Sequence, residues 1–205
     1  MGGTVLDDPL LKNALHVNSL DNWRELCLNC QRCPLRQGAA NVVFGEGDPH
    51  AGIMFIGEGP GGEEDKIGRP FVGTAGKLLD RIFAAAGWKR EELYIANIVK
   101  CRPPGNRNPL PEEIGICYPL LEKQIELIDP QIIVTLGAVS AKVLLRSPNL
   151  YITKERGKWH QFGSRMLMPT FHPAALLRDP AKKRPVWEDI KQVIALYSEI
   201  NPKGN

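Results

Sequence analysis

An α/β fold built on a mostly parallel sheet is predicted by three observations. Apolar runs of strand length alternate with segments of helical periodicity, the runs are apolar throughout, and AGIMFIG and QIIVTLG both close on glycine. A continuous apolar run marks a strand covered on both faces, as parallel strands are. Strands alternating with helices mark crossover units in one sheet. The 205 residues suffice for one sizeable domain and are short for two.

In chain order, residues 8–28 read as one or two short helices with Leu10, Leu11, Leu15, Leu20 and Leu26 as apolar positions. NVVFGEG follows as a short extended piece, and AGIMFIG (51–57) as the first buried strand. After a Gly/Pro-rich loop, AGKLLDRIFAAAGW carries a helical stripe of Leu78, Leu79, Ile82 and Phe83, ended by Gly87. LYIANIV (93–99) is the second strand. PLPEEIGICYPLLEKQIELI reads as a helix starting near Pro111. QIIVTLG (131–137) is the third strand and runs directly into the helix AVSAKVLLR. YITKERGKWHQFGSRMLMPTF suggests a hairpin leading into the fourth strand near 165–171, and a last helix covers about 185–199. Ligands of such sheets sit beyond the carboxyl ends of the strands. That rule selects the loops 57–73, 100–110, 137–140 and 171–180.

Composition narrows the class without naming it. The apolar share is 43% and the charged share 24%, ordinary for a globular chain. No apolar run approaches the roughly 20 residues of a membrane span, and MGGTVLDDPLLKNALHVNS lacks the pattern of a signal peptide. A cytoplasmic protein is expected. The net charge of +3 does not by itself point to nucleic acid. Its distribution says more: Lys154, Arg156, Lys158 and Arg165 form one group, Arg178, Lys182, Lys183 and Arg184 another, and Arg102 and Arg107 flank a Pro/Asn/Gly loop. Such runs are usually solvated surface; the sharper reading is several basic loops converging on a polyanion.

The cysteines sit at 27, 30, 33, 101 and 117. In a cytoplasmic chain this is no disulfide framework. A tight CxxC pair with two later cysteines points to a metal or a cluster, while one of the five can be plain core. From spacing alone the pair is Cys27 with Cys30 or Cys30 with Cys33, and the occupant is zinc or iron–sulfur.

The selected loops carry the candidate chemistry. Gly57-x-Gly59-x-x-Gly62 matches a dinucleotide fingerprint formally. Against that reading, Pro60 interrupts the turn, Glu63, Glu64 and Asp65 sit where a pyrophosphate needs positive potential, and the next helix is expected only near residue 74. The same loop still makes a polar pocket around Glu58. Phe71, between Pro70 and Val72, reads either as a satellite core or as a face for a flat ligand. Asn97 within an apolar strand needs partners if buried; it is a structural amide or a reader of a base edge. His172 follows the fourth strand and precedes a proline. Leu176 and Leu177 then stand in a Pro-bracketed basic loop, where an apolar wedge into a nucleic-acid stack is one explanation and ordinary packing the other.

GEGPGGEEDKIGRPFVG, NIVKCRPPGNRNP and FHPAALLRDP, in this order, resemble the motifs of the family 4 uracil-DNA glycosylases. The resemblance runs from about Cys30 to about residue 195, leaving the first 25 residues or so as a helical extension of a single domain over 1–205. It implies a three-layer α/β/α sandwich with a central, mostly parallel four-stranded sheet. It implies excision of uracil from single- and double-stranded DNA, and a [4Fe-4S] cluster on Cys30, Cys33, Cys101 and Cys117. Cys33-Pro-Leu stands at the family's distance from GEGPG, which makes Cys27 the spare. Carried over, Phe71 stacks on the flipped base, Asn97 bonds its edge, the backbone at Glu58 and Gly59 lines the pocket, His172 faces uracil O2, and Leu176 is the wedge. Glu58 is the first candidate for orienting water or stabilising the sugar cation, with Glu64 second. Some relatives carry a basic loop with a histidine after the second strand and stay covalently bound to DNA; CRPPGNRNP has no histidine, so ordinary uracil release is expected. A monomer, nucleoid-associated in a prokaryotic cytoplasm, without membrane contact and open to a replication clamp, completes the expectation. The rivals are a cluster protein for binding or electron transfer, and the same fold holding zinc.

Overall fold

The computed structural model describes residues 9–14 and 16–202. Its strands are β1 (Glu46–Gly47), β2 (Ile53–Gly57), β3 (Tyr94–Asn97), β4 (Ile132–Leu136), β5 (His160–Phe162) and β6 (Arg165–Thr170). They form one sheet in the order β1-β3-β2-β4-β6-β5. The four strands expected from sequence are its centre and all pair in parallel. The expected count of four is corrected to six, because β1 and β5 add antiparallel edges to β3 and β6. Both edges are short, and β5 is the first arm of the expected hairpin, turned at Gly163 (φ +62). Every residue of β2, β3 and β4 is buried, as continuous apolar runs require.

The helices are α1 (Pro9–Ala14), α2 (Leu20–Leu28), α3 (Leu35–Gly38), α4 (Gly62–Ile67), α5 (Thr74–Ala85), α6 (Pro111–Ile128), α7 (Ala138–Leu144), α8 (Ile152–Glu155), α9 (Pro173–Arg178) and α10 (Lys183–Ile200). Alternate residues of the wholly buried strands feed two separate cores. Met54 and Ile56 of β2 join Trp23 of α2 and Leu120, Leu121 and Ile125 of α6 on one face. Ile53 and Phe55 join Leu79 and Phe83 of α5 and Ile190 and Val193 of α10 on the other. Two cores with a sheet between them make the three-layer sandwich.

Local signals fix the helix ends. Ser19 caps α2 by accepting from the Asn22 N–H at 3.3 Å. α5 stops before Gly87, whose φ of +77 suits a residue without Cβ. Pro111 starts α6, and Glu113 turns back to accept from the Leu110 N–H at 2.7 Å.

One expectation needs correcting here. A helix does begin at the third glycine of Gly57-x-Gly59-x-x-Gly62: α4 starts at Gly62, and Glu63, Glu64 and Asp65 occupy its first turn. Acids there complement the partial positive charge of a helix start, so the triple that argued against a pyrophosphate is also a helix signal. From Leu20 onward the helical extension packs into the first core. Trp23 is fully buried and its indole N–H donates to the Leu120 carbonyl at 3.1 Å. Leu15 and residues 1–8 lie outside the described residues. No helix among the described residues is long and apolar enough to cross a membrane.

Candidate active site

The four parallel strands follow the order β3-β2-β4-β6, so the chain leaves β2 to one side first and to the other side later. A crevice opens at the carboxyl ends where such an order reverses. Here it is a cavity of about 600 Å³ lined by Glu58 and Gly59 after β2, Asn97 ending β3, Leu136 to Val139 after β4, and Phe171 and His172 after β6. Glu64, Phe71, Arg107 and Arg178 complete it. The sequence-selected loops therefore meet in one place.

Phe71 is held in a left-handed backbone conformation (φ +51). A residue with Cβ adopts it only where the surroundings over-determine it. The surroundings do so from three sides. Glu64 Oε1 accepts from the N–H groups of Val72 and Gly73, both at 2.9 Å. Arg90 donates to the Pro70 carbonyl at 2.6 Å while pairing with Glu46 and Asp80. The carbonyl oxygen of Phe71 stands 1.9 Å from where a Cβ at Gly76 would lie, so only glycine permits that approach. The ring emerges 6% exposed at the pocket wall, its centroid 5.5 Å from that of His172 and tilted 31°.

Asn97 is 2% exposed, and its Oδ1 is buried without a hydrogen-bond partner. A satisfied structural amide would have one, so this atom is an acceptor waiting in the pocket wall. Gly57 makes its position possible. A Cβ there would lie 2.4 Å from Asn97 Oδ1 and 2.5 Å from Phe71 Cζ.

His172 caps α9. Its Nδ1 accepts from the Ala174 N–H at 3.1 Å, the first free donor of a helix opened by Pro173. An accepting Nδ1 leaves the proton of a neutral imidazole on Nε2. Burial, and next the Arg178 cation, push the His172 pKa down to about 4, against a smaller opposing effect of Glu64. The ring is therefore a neutral Nε2–H donor across the physiological range. Since His172 titrates near 4 in the fold and at its ordinary value when unfolded, the unfolded chain binds the extra proton between those pH values. Stability then falls as pH drops from about 6.5 to about 4. We expect kcat/KM to show no His172 limb between pH 5.5 and 8; an acid limb near pH 6.5 that disappears in His172→Gln would contradict the depressed value.

Glu58 is half-buried and burial pushes its carboxyl above the ordinary range, with no cation beside it. Glu64 also lines the cavity, yet its Oε1 is occupied by two backbone donors. Through these two bonds it braces the Phe71 loop. Gly59 borders the cavity, where a Cβ would meet Val99 Cγ2 at 2.7 Å.

The leucine pair resolves by helix geometry. Successive residues of α9 point about 100° apart, so Leu176 turns into the second core and is 2% exposed, while Leu177 is 41% exposed. Ordinary packing explains Leu176; the apolar side chain standing out of the loop is Leu177.

Of the basic residues, Arg107 is committed to Glu113 by two bonds of 2.7 and 2.8 Å, and Arg102 donates to Asn106 Oδ1 at 2.7 Å. Both chiefly shape the loop between β3 and α6. Arg178 reaches the cavity, and Arg156 and Lys182 flank the Phe171 ring at 5.6 and 5.7 Å. The roles of Gly57, Gly76 and Arg90 escaped sequence reasoning, since each acts through an approach that only the fold creates.

Behind β3, Cys27, Cys30, Cys101 and Cys117 are buried and Cys33 is half-buried. Burial pushes the Cys101 thiol up to about 12, with Cys117, Cys33 and Cys30 adding to the rise. Cys117 is pushed up to about 11 by burial, eased by Lys100 and raised again by Cys33 and Cys30. Cys27 is pushed up to about 12, with Cys30 and Cys117 as its cysteine neighbours. Among the described residues, no three His, Cys, Asp or Glu side chains stand close enough to hold a single metal ion.

Comparison with known proteins agrees with this geometry. The Uracil DNA glycosylase superfamily profile matches residues 44–191. A type-4 uracil-DNA glycosylase of Thermotoga maritima is 48% identical over 168 residues, covering 80% of this chain and 86% of that protein. Those of Sulfurisphaera tokodaii and Saccharolobus solfataricus are 44% identical over 195 residues and 45% over 185. They cover 91% and 86% of this chain, and 88% and 86% of their own lengths.

Proposed function

The chain belongs to the type-4 uracil-DNA glycosylases of the uracil-DNA glycosylase superfamily, and from that premise we propose how its residues excise uracil. The enzyme takes a uracil nucleotide out of DNA, hydrolyses its N-glycosidic bond and leaves an abasic site. The observation that carries the reading is the unpartnered Asn97 Oδ1, set in one wall with the Phe71 ring and a neutral His172. Asn97 offers an acceptor and a donor in one plane, matching uracil N3–H and O4. Phe71 stacks on the base. As the bond from C1′ to N1 breaks, its electron pair passes to uracil and negative charge gathers on O2. The Nε2–H of His172 meets that charge as a preorganised donor, worth about 3 kcal/mol. Glu58 holds water against C1′, takes its proton and offsets the sugar's positive charge. With no histidine in 101–109, that water completes the reaction and both products leave.

Extruding the nucleotide costs a few kcal/mol of stacking in a duplex. We assign the wedge that offsets this cost to Leu177 rather than Leu176, because only an exposed side chain reaches the stack without unpacking α9. Leu177→Ala is expected to lose several-fold more activity on duplex than on single-stranded uracil DNA. Leu176→Ala is expected to lower stability by about 2–5 kcal/mol as a buried cavity. An equal loss on both substrates for Leu177→Ala would remove the wedge role from it.

A [4Fe-4S] cluster on Cys30, Cys33, Cys101 and Cys117 fits the residues present. Lys100 is a fully buried cation for which no carboxylate is found among the described residues, and an anionic cluster supplies its counter-charge. When bound, the cluster would tie together the segment between α2 and α3, the loop after β3, and α6. The register of Cys30 with Cys33 is the one the family resemblance implies, and Cys27 also has Cys30 and Cys117 as neighbours. Cys33→Ser is expected to lose iron and Cys27→Ser to keep it; the reverse would assign the other register.

The decisive experiment measures uracil release from single- and double-stranded DNA by the purified monomer, with iron content alongside. Iron without uracil release would favour a binding or electron-transfer protein; release by a colourless zinc protein would remove the cluster.

A further inference from the structure

Lys100 is 1% exposed and lies at the junction of two sites that are otherwise separate. Its Nζ donates to the carbonyl oxygen of Asn97 at 3.0 Å, and its backbone N–H donates to Cys117 Sγ at 3.3 Å. Its own carbonyl accepts from the Val43 N–H at 2.7 Å. The two residues between Asn97 and Lys100 bind the pocket floor directly: the Ile98 and Val99 N–H groups donate to the carbonyls of Gly57 and Glu58 at 3.0 and 3.1 Å. One buried lysine thus sits with its ammonium on the backbone of Asn97 and its own backbone N–H on a sulfur of the cysteine centre.

A lysine buried this completely is costly unless something compensates its charge. Asn97 contributes a dipole, not a charge. A tetrathiolate cluster is a diffuse anion of the right sign at this place.

We propose that Lys100 is a positioning residue that couples the cysteine centre to Asn97, holding the base-reading amide in register only while an anionic cluster holds the ammonium. This rests on the cluster reading above and goes beyond it, because it gives the cluster a named route to the pocket. Two consequences follow. The ammonium stabilises the more negative, reduced cluster, so removing it moves the midpoint potential to more negative values. Removing it also frees the Asn97 carbonyl, so the pocket grips uracil less well although Lys100 never touches the base.

The test uses full-length wild type, Lys100→Met and Lys100→Arg. Three quantities are read: iron content, midpoint potential in a mediated dithionite titration, and the inhibition constant of free uracil. Lys100→Met is expected to keep its iron, titrate at a more negative potential and bind uracil about tenfold more weakly, since small displacements at a binding group have effects of that order or larger. Lys100→Arg should return both readings toward wild type. Iron lost from the Met variant but kept by the Arg variant would support the charge role. Iron lost from both would overturn it, as would a Met variant with unchanged potential or unchanged uracil inhibition. A wild type without iron would sink the cluster reading itself; the uracil constants would then still judge the Lys100–Asn97 contact alone.

Discussion

Gly57→Ala is expected to lower kcat/KM for uracil release by about a hundredfold or more, while the protein keeps its fold and iron. Gly57 ends β2 with a φ outside the left-handed region, so alanine suits its backbone and the whole effect comes from the methyl group. That methyl would lie 2.4 Å from Asn97 Oδ1 and 2.5 and 2.8 Å from Phe71 Cζ and Cε2, closer than side-chain carbons approach such atoms. Neither neighbour yields easily. Asn97 is anchored in β3 opposite Gly57, and Phe71 is pinned by Glu64, Arg90 and the bare Cα of Gly76. Overpacking of this kind costs about 1–3 kcal/mol of stability. A loss of that size leaves the fold standing but displaces Asn97 and Phe71, the two groups proposed to hold the base. Steady-state kinetics with circular dichroism and iron content as controls would check it. A folded variant within about fivefold of wild type would mean that the ring and the amide do not share the base.

Asp189→Ala is expected to cost about 3–5 kcal/mol, a large part of the 5–15 kcal/mol of a typical fold. Asp189 is 1% exposed in α10 and accepts from Arg156 Nε at 3.0 Å and from the Thr170 hydroxyl at 2.6 Å. Arg156 Nη2 also bonds Asp189 and the Pro185 carbonyl. Burial raises the Asp189 carboxyl despite these partners, so desolvation outweighs them and the pair is costly to keep, yet costlier to break. Truncating the acid leaves a guanidinium whose side chain is only 21% exposed without its anion. Denaturant melts would read the loss, and replacing Arg156 and Asp189 together by apolar residues should recover much of it. A single-variant loss below about 1 kcal/mol would show that solvent relaxes the site. Because Thr170 stands two residues before His172, activity should fall in Asp189→Ala even where the fold persists.

How much of this was legible in the sequence depends on the range of the physics involved. The buried strands were legible because continuous apolar runs are a local signal, and their carboxyl ends selected loops that do form the cavity. β1 was not legible as a strand, since two residues at an edge carry no periodicity. α4 was obscured because GGEEDKI lacks an apolar stripe; its signal was charge at a helix start. Phe71, Asn97 and His172 came from motif resemblance, and the fold brings them to one wall. The leucine pair was not separable, because LL in a loop looks alike to sequence while the turn of α9 sends Leu176 inward and Leu177 out. Glu64 was read as chemistry, although backbone donors eight and nine residues away claim its oxygen. Nothing local in the sequence could reveal Gly57, Gly76 or Arg90, because each matters through a neighbour distant in the chain.

The strand order carries a consequence for synthesis. β3 joins β2, β4 joins the other side of β2, and the β5–β6 hairpin then joins β4 through β6. Each arrival adds to a free edge, and none has to be inserted between strands already paired. A chain emerging from its amino end can therefore lay down the four parallel strands in order, without undoing earlier pairings, while β1 waits for β3. His172 comes with the last addition. Until then the nascent protein holds Asn97, Phe71 and its cysteines but lacks the imidazole of the pocket wall, so the cavity is complete only once its final strand docks.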